Sequence, residues 1–269
     1  MTMPVSMPIT DYHADEAIGK STLDLIHRDP FLVEWSRKTP TDNSKSDALN
    51  FGDALHAILL EQERFADDFV IAPKCDMRTK DGKAEFSAFQ ERSAGKKIIT
   101  ADEFTQLEMM SDSVMAHPQA RDLIHAQGKV ERSWFWTDEQ TGLRCKCRPD
   151  KQIGSQLVDV KSTASIAKFA YSVEDYRYYV QAPWYCDGVG RFEPCDEMLF
   201  LVVQKTLELG RYPVQVFRLP EDVIVYGRQA YRRDLDAYAR FLKQSAPVQE
   251  LPMHGRFLDH VIDSLEITV

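Results

Sequence analysis

The segment Gln156-Leu157-Val158-Asp159-Val160-Lys161 sets an acid and an ammonium two residues apart in a run of β-formers. Strand side chains alternate between faces, so Asp159 and Lys161 project together, roughly 6–7 Å apart, with the Val160 carbonyl beside them. A second acid, Asp150, stands just upstream in Arg148-Pro149-Asp150. Two carboxylates and a carbonyl oxygen suit a hard cation such as Mg²⁺. A neighbouring ammonium can hold a water or offset charge developing on a phosphate. Taken alone, Asp159 and Lys161 read equally well as a strand-end salt bridge. A second Asp-x-Lys, Asp81-Gly82-Lys83, falls in a polar, glycine-interrupted stretch expected to be loop.

The surrounding pattern predicts an α/β chain. Ser21, with Asp24 three residues on, reads as a helix start, and Asp29-Pro30 ends or bends that helix. Apolar positions Leu49, Phe51, Leu55, Ile58 and Leu59 recur at helical spacing within a helix expected over 47–64. A polar, basic loop is expected over 73–84, then helices near 84–94, 101–116 and 118–127. From Val130 the pattern turns to strands over 130–137, 143–148 and 156–161, separated by turns at 138–142 and 152–155, which predicts an antiparallel meander. In the second strand Leu143, Cys145 and Cys147 alternate with Arg144, Lys146 and Arg148, a half-buried pattern with a basic outer face. Helices at 164–171 and 173–188, strands at 197–205 and 212–218, and an amphipathic helix over 220–243 follow. The order implies a central mixed β-sheet flanked by helices, with extra helices at the N-terminus. Residues 1–20 are expected to be a partly ordered segment, 21–245 a single domain, and 246–269 a tail.

Composition narrows the class. The 269 residues carry 43% hydrophobic and 10% aromatic side chains, enough for a packed core. No run of eighteen apolar residues predicts a membrane span, and Met1 to Thr10 lacks the form of a signal peptide. An odd number of scattered cysteines (Cys75, Cys145, Cys147, Cys186, Cys195) points to reduced thiols and a cytoplasmic location. The net charge of −9 argues against a protein that coats nucleic acid over its whole surface. It leaves room for a local basic path. Candidates are Arg37-Lys38, 78–83, Lys96-Lys97, 144–151 and 228–233, of which Arg144, Lys146 and Arg148 lie beside the acid Asp150.

Three further elements carry chemistry or its structural alternative. Gly52 and His56 share a helix face at i, i+4. His56 is either a metal ligand or a histidine hydrogen-bonded in the core. Glu131 opens the first strand and either faces the acidic cluster or is a surface charge. Gln181 and Tyr185 share a face of the following helix. They could hold a phosphate or stack on a base, or simply pack, as the cluster Tyr176, Tyr178, Tyr179 does in a core.

In order, Gly-x-x-x-His, Glu, Pro-Asp, Asp-x-Lys and Gln-x-x-x-Tyr resemble the RecB-like branch of the PD-(D/E)XK nucleases. The stretches 147–151, 158–163, 175–181 and 209–214 are similar to the exodeoxyribonuclease VIII nuclease domain, the RecE family of prophages, over about residues 20–245. The resemblance implies Mg²⁺-dependent, with Mn²⁺ able to substitute, 5′-to-3′ digestion of double-stranded DNA ends, leaving 3′ single-stranded tails. It also implies a ring-shaped homo-oligomer, a tetramer, and a single-strand annealing partner of RecT type. Carried over, His56, Asp150, Asp159 and the Val160 carbonyl become metal ligands and Lys161 the catalytic lysine. Glu131, Gln181 and Tyr185 become supporting catalytic residues, and Arg144, Lys146, Arg148, Ser162 and Thr163 contact DNA. Some relatives hold an iron–sulfur cluster with one early and three late cysteines. Nothing after Cys195 supplies those, so no cluster is expected. An endonuclease of restriction or repair type, and a non-catalytic DNA-binding member of the fold, are the rival readings.

Overall fold

The computed structural model describes residues 4–39 and 46–243, with backbone alone for 46–49. The tail expected over 246–269 lies outside the described residues. Helices α1 (Ile9–Ala14), α2 (Lys20–Arg28), α3 (Phe31–Lys38), α4 (Ser46–Leu60) and α5 (Gln62–Asp68) come first. Strand β1 (Phe69–Ile71), α6 (Lys80–Arg92), β2 (Lys97–Ile99), α7 (Ala101–Ala116) and α8 (Pro118–His125) follow. The strand-rich part runs β3 (Lys129–Val130), β4 (Trp134–Thr137), β5 (Arg144–Cys147), β6 (Lys151–Ile153) and β7 (Gln156–Thr163). The chain closes with α9 (Phe169–Asp175), α10 (Tyr178–Val189), β8 (Glu197–Gln204), β9 (Val214–Arg218) and α11 (Glu221–Lys243).

The central sheet has the order β3-β6-β7-β8-β9. Its β7–β8 pair is parallel and the others antiparallel, so the sheet is mixed. β8 is buried from Met198 to Gln204, as a central strand covered on both faces must be. Alternation along β7 and β8 sorts two cores. Leu157, Phe200 and Val202 pack with residues of α2, α10 and α11, including Leu23, Trp184 and Leu235. Val158, Val160, Leu201 and Val203 pack with α4, α7 and α8 through Leu55, Leu107 and Ile124. The strand carrying Asp159 and Lys161 is thereby held between two helical layers.

The meander is corrected. The stretch read as one strand over 130–137 is two, β3 and β4, in different sheets. The break is Glu131, whose φ of 50° is left-handed and turns the chain out of the central sheet. Its N–H donates to the Asp150 carbonyl at 3.0 Å, which fixes the kink. β4 and β5 form a separate antiparallel ribbon, with Trp136 against Trp184 of α10 at 4.8 Å between ring centroids. β5 therefore does not pair with β7. Arg148-Pro149-Asp150 carries the chain from the ribbon back to the sheet, where the unforeseen β6 occupies residues expected to be turn.

Smaller corrections have local causes. Ser21 lies inside α2, whose N-cap is Gly19. The Ile18 N–H bonds the Arg144 carbonyl and Ile18 O accepts from Lys146, both at 2.8 Å, so the helix starts as soon as this bridge releases the chain. Asp81-Gly82-Lys83 is the first turn of α6, capped by Thr79 Oγ1 at 3.0 Å from the Gly82 N–H. A Cβ on Gly82 would lie 2.2 Å from the Asp76 carbonyl oxygen, so the glycine marks a close backbone approach and not a loop. The helix expected over 47–64 ends at Leu60, where Glu61 leaves helical geometry before α5. The break between α9 and α10 falls at Arg177, left-handed at φ 52°.

Candidate active site

β7 delivers Asp159 and Lys161 to the face covered by α2 and α10. The Lys161 ammonium pairs with Asp159 Oδ2, and Gln181 Nε2 on α10 donates to Asp159 Oδ1 at 2.6 Å. Burial opposes the Lys161 charge, yet Asp159 and Asp150 outweigh it and raise the lysine pKa. The ammonium also lies 4.8 Å from the centroid of the Tyr178 ring.

The other half of the site gathers around the Val160 peptide. Its N–H donates to Asp150 Oδ2 at 2.7 Å, and its carbonyl oxygen is 2.8 Å from His56 Nε2. His56 reaches it from α4, and its Nδ1 faces Asp150 Oδ2 at 3.3 Å. With Nε2–H donating to the carbonyl, that second contact needs one proton. Burial and the Asp159 charge hold the Asp150 pKa well above the usual carboxylate range. Burial and Lys161 lower that of His56.

Glu131 joins this group. One ligand atom each from His56, Glu131 and Asp150 lie within 4.8 Å of one another. Burial and Asp150 push the Glu131 pKa up to about 7 against the Arg148 guanidinium, which donates to Glu131 Oε2 at 2.7 Å. Acids crowded until they retain protons are what a divalent cation relieves, since binding displaces those protons. The donor set, two carboxylates, an imidazole and the Val160 carbonyl, is oxygen-rich and fits Mg²⁺ or Mn²⁺.

Glu131, a supporting residue in the sequence reading, stands among the candidate ligands, while Gln181 bonds Asp159 Oδ1 and Lys161 pairs with Oδ2. Tyr185 lies one turn beyond Gln181, and burial, then Tyr12, raises its pKa well above normal. Thr163 is buried with its hydroxyl donating to the Ser165 carbonyl at 3.2 Å. Ser162, next to it, is half-buried on the opposite face of β7 from Lys161. The basic outer face of β5 is corrected: residues 5–18 cover it. Arg144 Nη1 donates to Asp15 Oδ1 at 2.9 Å, and Arg148 Nη1 to the Met7 carbonyl at 2.9 Å. Lys146 is 6% exposed, with its ammonium donating to the carbonyls of Tyr12 and Asp15. Arg144 alone of the three keeps an exposed side chain.

This N-terminal segment separates two openings on the site. A cavity of about 810 Å³ is lined by Tyr12, Lys20, Lys161, Tyr178, Gln181 and Tyr185. Another of about 800 Å³ is lined by Met7, Arg64, Lys97, Glu131 and Arg148. Lys20 and Tyr178 were missed from sequence. Tyr178, Gln181 and Tyr185 recur at i, i+3 and i+7, a polar stripe that the spacing alone exposes.

A mixed sheet whose inner strand carries Asp159 and Lys161, with a second acid and a histidine closing on the peptide between them, defines the PD-(D/E)XK catalytic core. The chain belongs to the family described as a PDDEXK-like domain of unknown function (DUF3799), which matches residues 33–250. Among solved structures, a candidate exonuclease from Eubacterium rectale is similar in fold at a TM-score of 0.59 and 14% identity, covering 98% of this chain and 100% of its own. An alkaline exonuclease from Laribacter hongkongensis aligns over 68% of this chain and 96% of its own, with 17% identity and a TM-score of 0.32. No curated protein matches.

Proposed function

We propose that the protein is a divalent-metal-dependent nuclease that digests double-stranded DNA from an end. The observation that carries this reading is the convergence of Asp159 and Lys161 with His56, Glu131 and Asp150 around the Val160 peptide. His56, Asp150, Glu131 and the Val160 carbonyl would hold Mg²⁺, with Asp159 beside them. When bound, the metal polarises the scissile phosphate and acidifies a water. Lys161 orients the attacking water and offsets charge growing on the phosphate in the transition state. Asp159 and Gln181 fix the ammonium in place for that role. Burial of the cluster keeps bulk water from screening these charges.

The finer reading rests on the resemblance to RecE-type exonucleases. It is 5′-to-3′ polarity, 3′ tails for recombination by annealing, a RecT-type partner, and a ring-shaped tetramer acting in the cytoplasm. No helix among the described residues is long and apolar enough to cross a membrane.

Linear duplexes labelled at either the 5′ or the 3′ end, incubated with Mg²⁺, Mn²⁺ or EDTA, test the proposal beside covalently closed circles. Early release of the 5′ label with metal, and intact circles, are expected. Nicked circles would indicate an endonuclease. Binding without digestion would indicate a non-catalytic member of the fold.

A further inference from the structure

We propose that Tyr176 and Tyr178 form a stacking platform for an unpaired nucleobase of the strand being cut, beside Lys161; this rests on the nuclease reading of the site. Three rings form a ladder from core to surface. Phe200 is fully buried. Tyr178 stacks on it at 5.7 Å and 27°, and Tyr176 stacks next to Tyr178 at 5.7 Å and 28°. Tyr176 is 61% exposed, so among the described residues the outer rung of the ladder is left largely open. The middle rung touches the candidate chemistry. Lys161 Nζ lies 4.8 Å and Lys20 Nζ 5.8 Å from the Tyr178 centroid.

The platform is held rigidly. Between the two tyrosines, Arg177 adopts its left-handed backbone with its side chain turned inward. The guanidinium donates to the Leu23 carbonyl and Asp24 Oδ1, each at 3.1 Å, and to Asp234 Oδ2 at 2.5 Å. The Lys20 ammonium donates to the Tyr176 carbonyl. An exposed aromatic ring on a pinned turn contributes little to the core, and it offers a base a flat face with little entropy left to lose.

Charge complements the aromatic face. Lys20 and Lys161 line the same cavity as Tyr178, so a strand whose base meets the tyrosines finds cations for its phosphates. This lets a chain of net charge −9 hold nucleic acid through a few contacts. In an intact duplex each base is stacked on its neighbours, and only a frayed or terminal base has a face free for Tyr176. The recognised substrate is therefore a strand end separated from its complement.

The test uses the full chain and short duplexes carrying 2-aminopurine at each of the last three nucleotides of the cut strand, bound in Ca²⁺. Fluorescence quenching at one of these positions is expected with the wild type. Tyr176→Ala should abolish it and weaken binding about 5- to 100-fold, and Tyr176→Trp should restore both. With an abasic nucleotide at the quenched position, wild type and Tyr176→Ala should bind alike. In Mg²⁺, Tyr176→Ala should raise KM more than it lowers kcat. If Tyr176→Ala quenches and binds like the wild type while DNA is still digested, the platform is wrong and the nuclease stands. A chain that neither binds nor digests DNA ends with metal removes both.

Discussion

His56 precedes Val160 by 104 positions, yet its Nε2 lies 2.8 Å from the Val160 carbonyl oxygen. The helix bearing His56 covers the face of β7 that carries Val158 and Val160, while Asp159 and Lys161 point to the opposite layer. The Val160 backbone is the hinge of the site. Its N–H holds Asp150, its carbonyl holds His56, and its neighbours on either side supply the acid and the lysine. Chemistry from both helical layers meets at one peptide because a strand offers side chains to both faces and backbone groups to its edges.

Lys161 is placed to act on charge that appears only in the transition state. Lys161→Ala is expected to lower the single-turnover cleavage rate about 10²–10³-fold, with DNA affinity changed less than about threefold. Rapid-quench kinetics beside equilibrium binding separate the two. A collapse of affinity with an unchanged bound-state rate would make Lys161 a phosphate anchor.

The raised Glu131 pKa fixes the sign of a pH effect on stability. Between its ordinary value and about 7 the native protein holds a proton that the unfolded chain has lost. Metal-free stability should therefore fall as pH rises from about 4.5 to about 7, by on the order of 3 kcal/mol. Asp150, shifted the same way, adds to the slope. Mn²⁺ or Mg²⁺ should restore the loss at pH 8 and do little at pH 5. Glu131→Gln should flatten the metal-free profile. Melting temperatures across pH, with EDTA or metal, measure all three.

The elements that place the site were legible because their signals are local. Asp159 and Lys161 sit in one β-type run, His56 in one helical period, Gln181 and Tyr185 one turn apart. The kink at Glu131 was not legible, because a left-handed backbone carries no sequence mark without glycine or asparagine. β6 was hidden because it is three residues long and runs into the turn expected over 152–155. The cover over Lys146 and Arg148 was not legible for a different reason. Their partners lie 131 and 141 positions earlier, and alternation in a strand says which side a residue faces but not what covers it.

Lys146 acts in this structure as a clamp on the N-terminal segment. Its ammonium, buried against the Tyr12 ring at 4.5 Å, satisfies the carbonyls of Tyr12 and Asp15. Lys146→Met should destabilise the protein by about 1–3 kcal/mol and open residues 8–16 to proteolysis. Thermal melts and limited proteolysis followed by mass spectrometry test this. Loss of DNA affinity with no change in proteolysis would return Lys146 to the DNA path.

Arg177 ties three helices together through one guanidinium. It reaches Asp24 and the Leu23 carbonyl on α2 and Asp234 on α11, all from the start of α10. Asp234 is 5% exposed, so removing its partner strands a buried carboxylate. Arg177→Ala should cost about 3–5 kcal/mol, and chemical denaturation measures it. His27 Nδ1, 3.6 Å from Asp234 Oδ1, is half exposed and compensates little. Adding Asp234→Asn should recover part of the loss, because it removes the stranded charge. A double variant no more stable than Arg177→Ala would mean that the left-handed turn, and not the ion pair, is what Arg177 supplies.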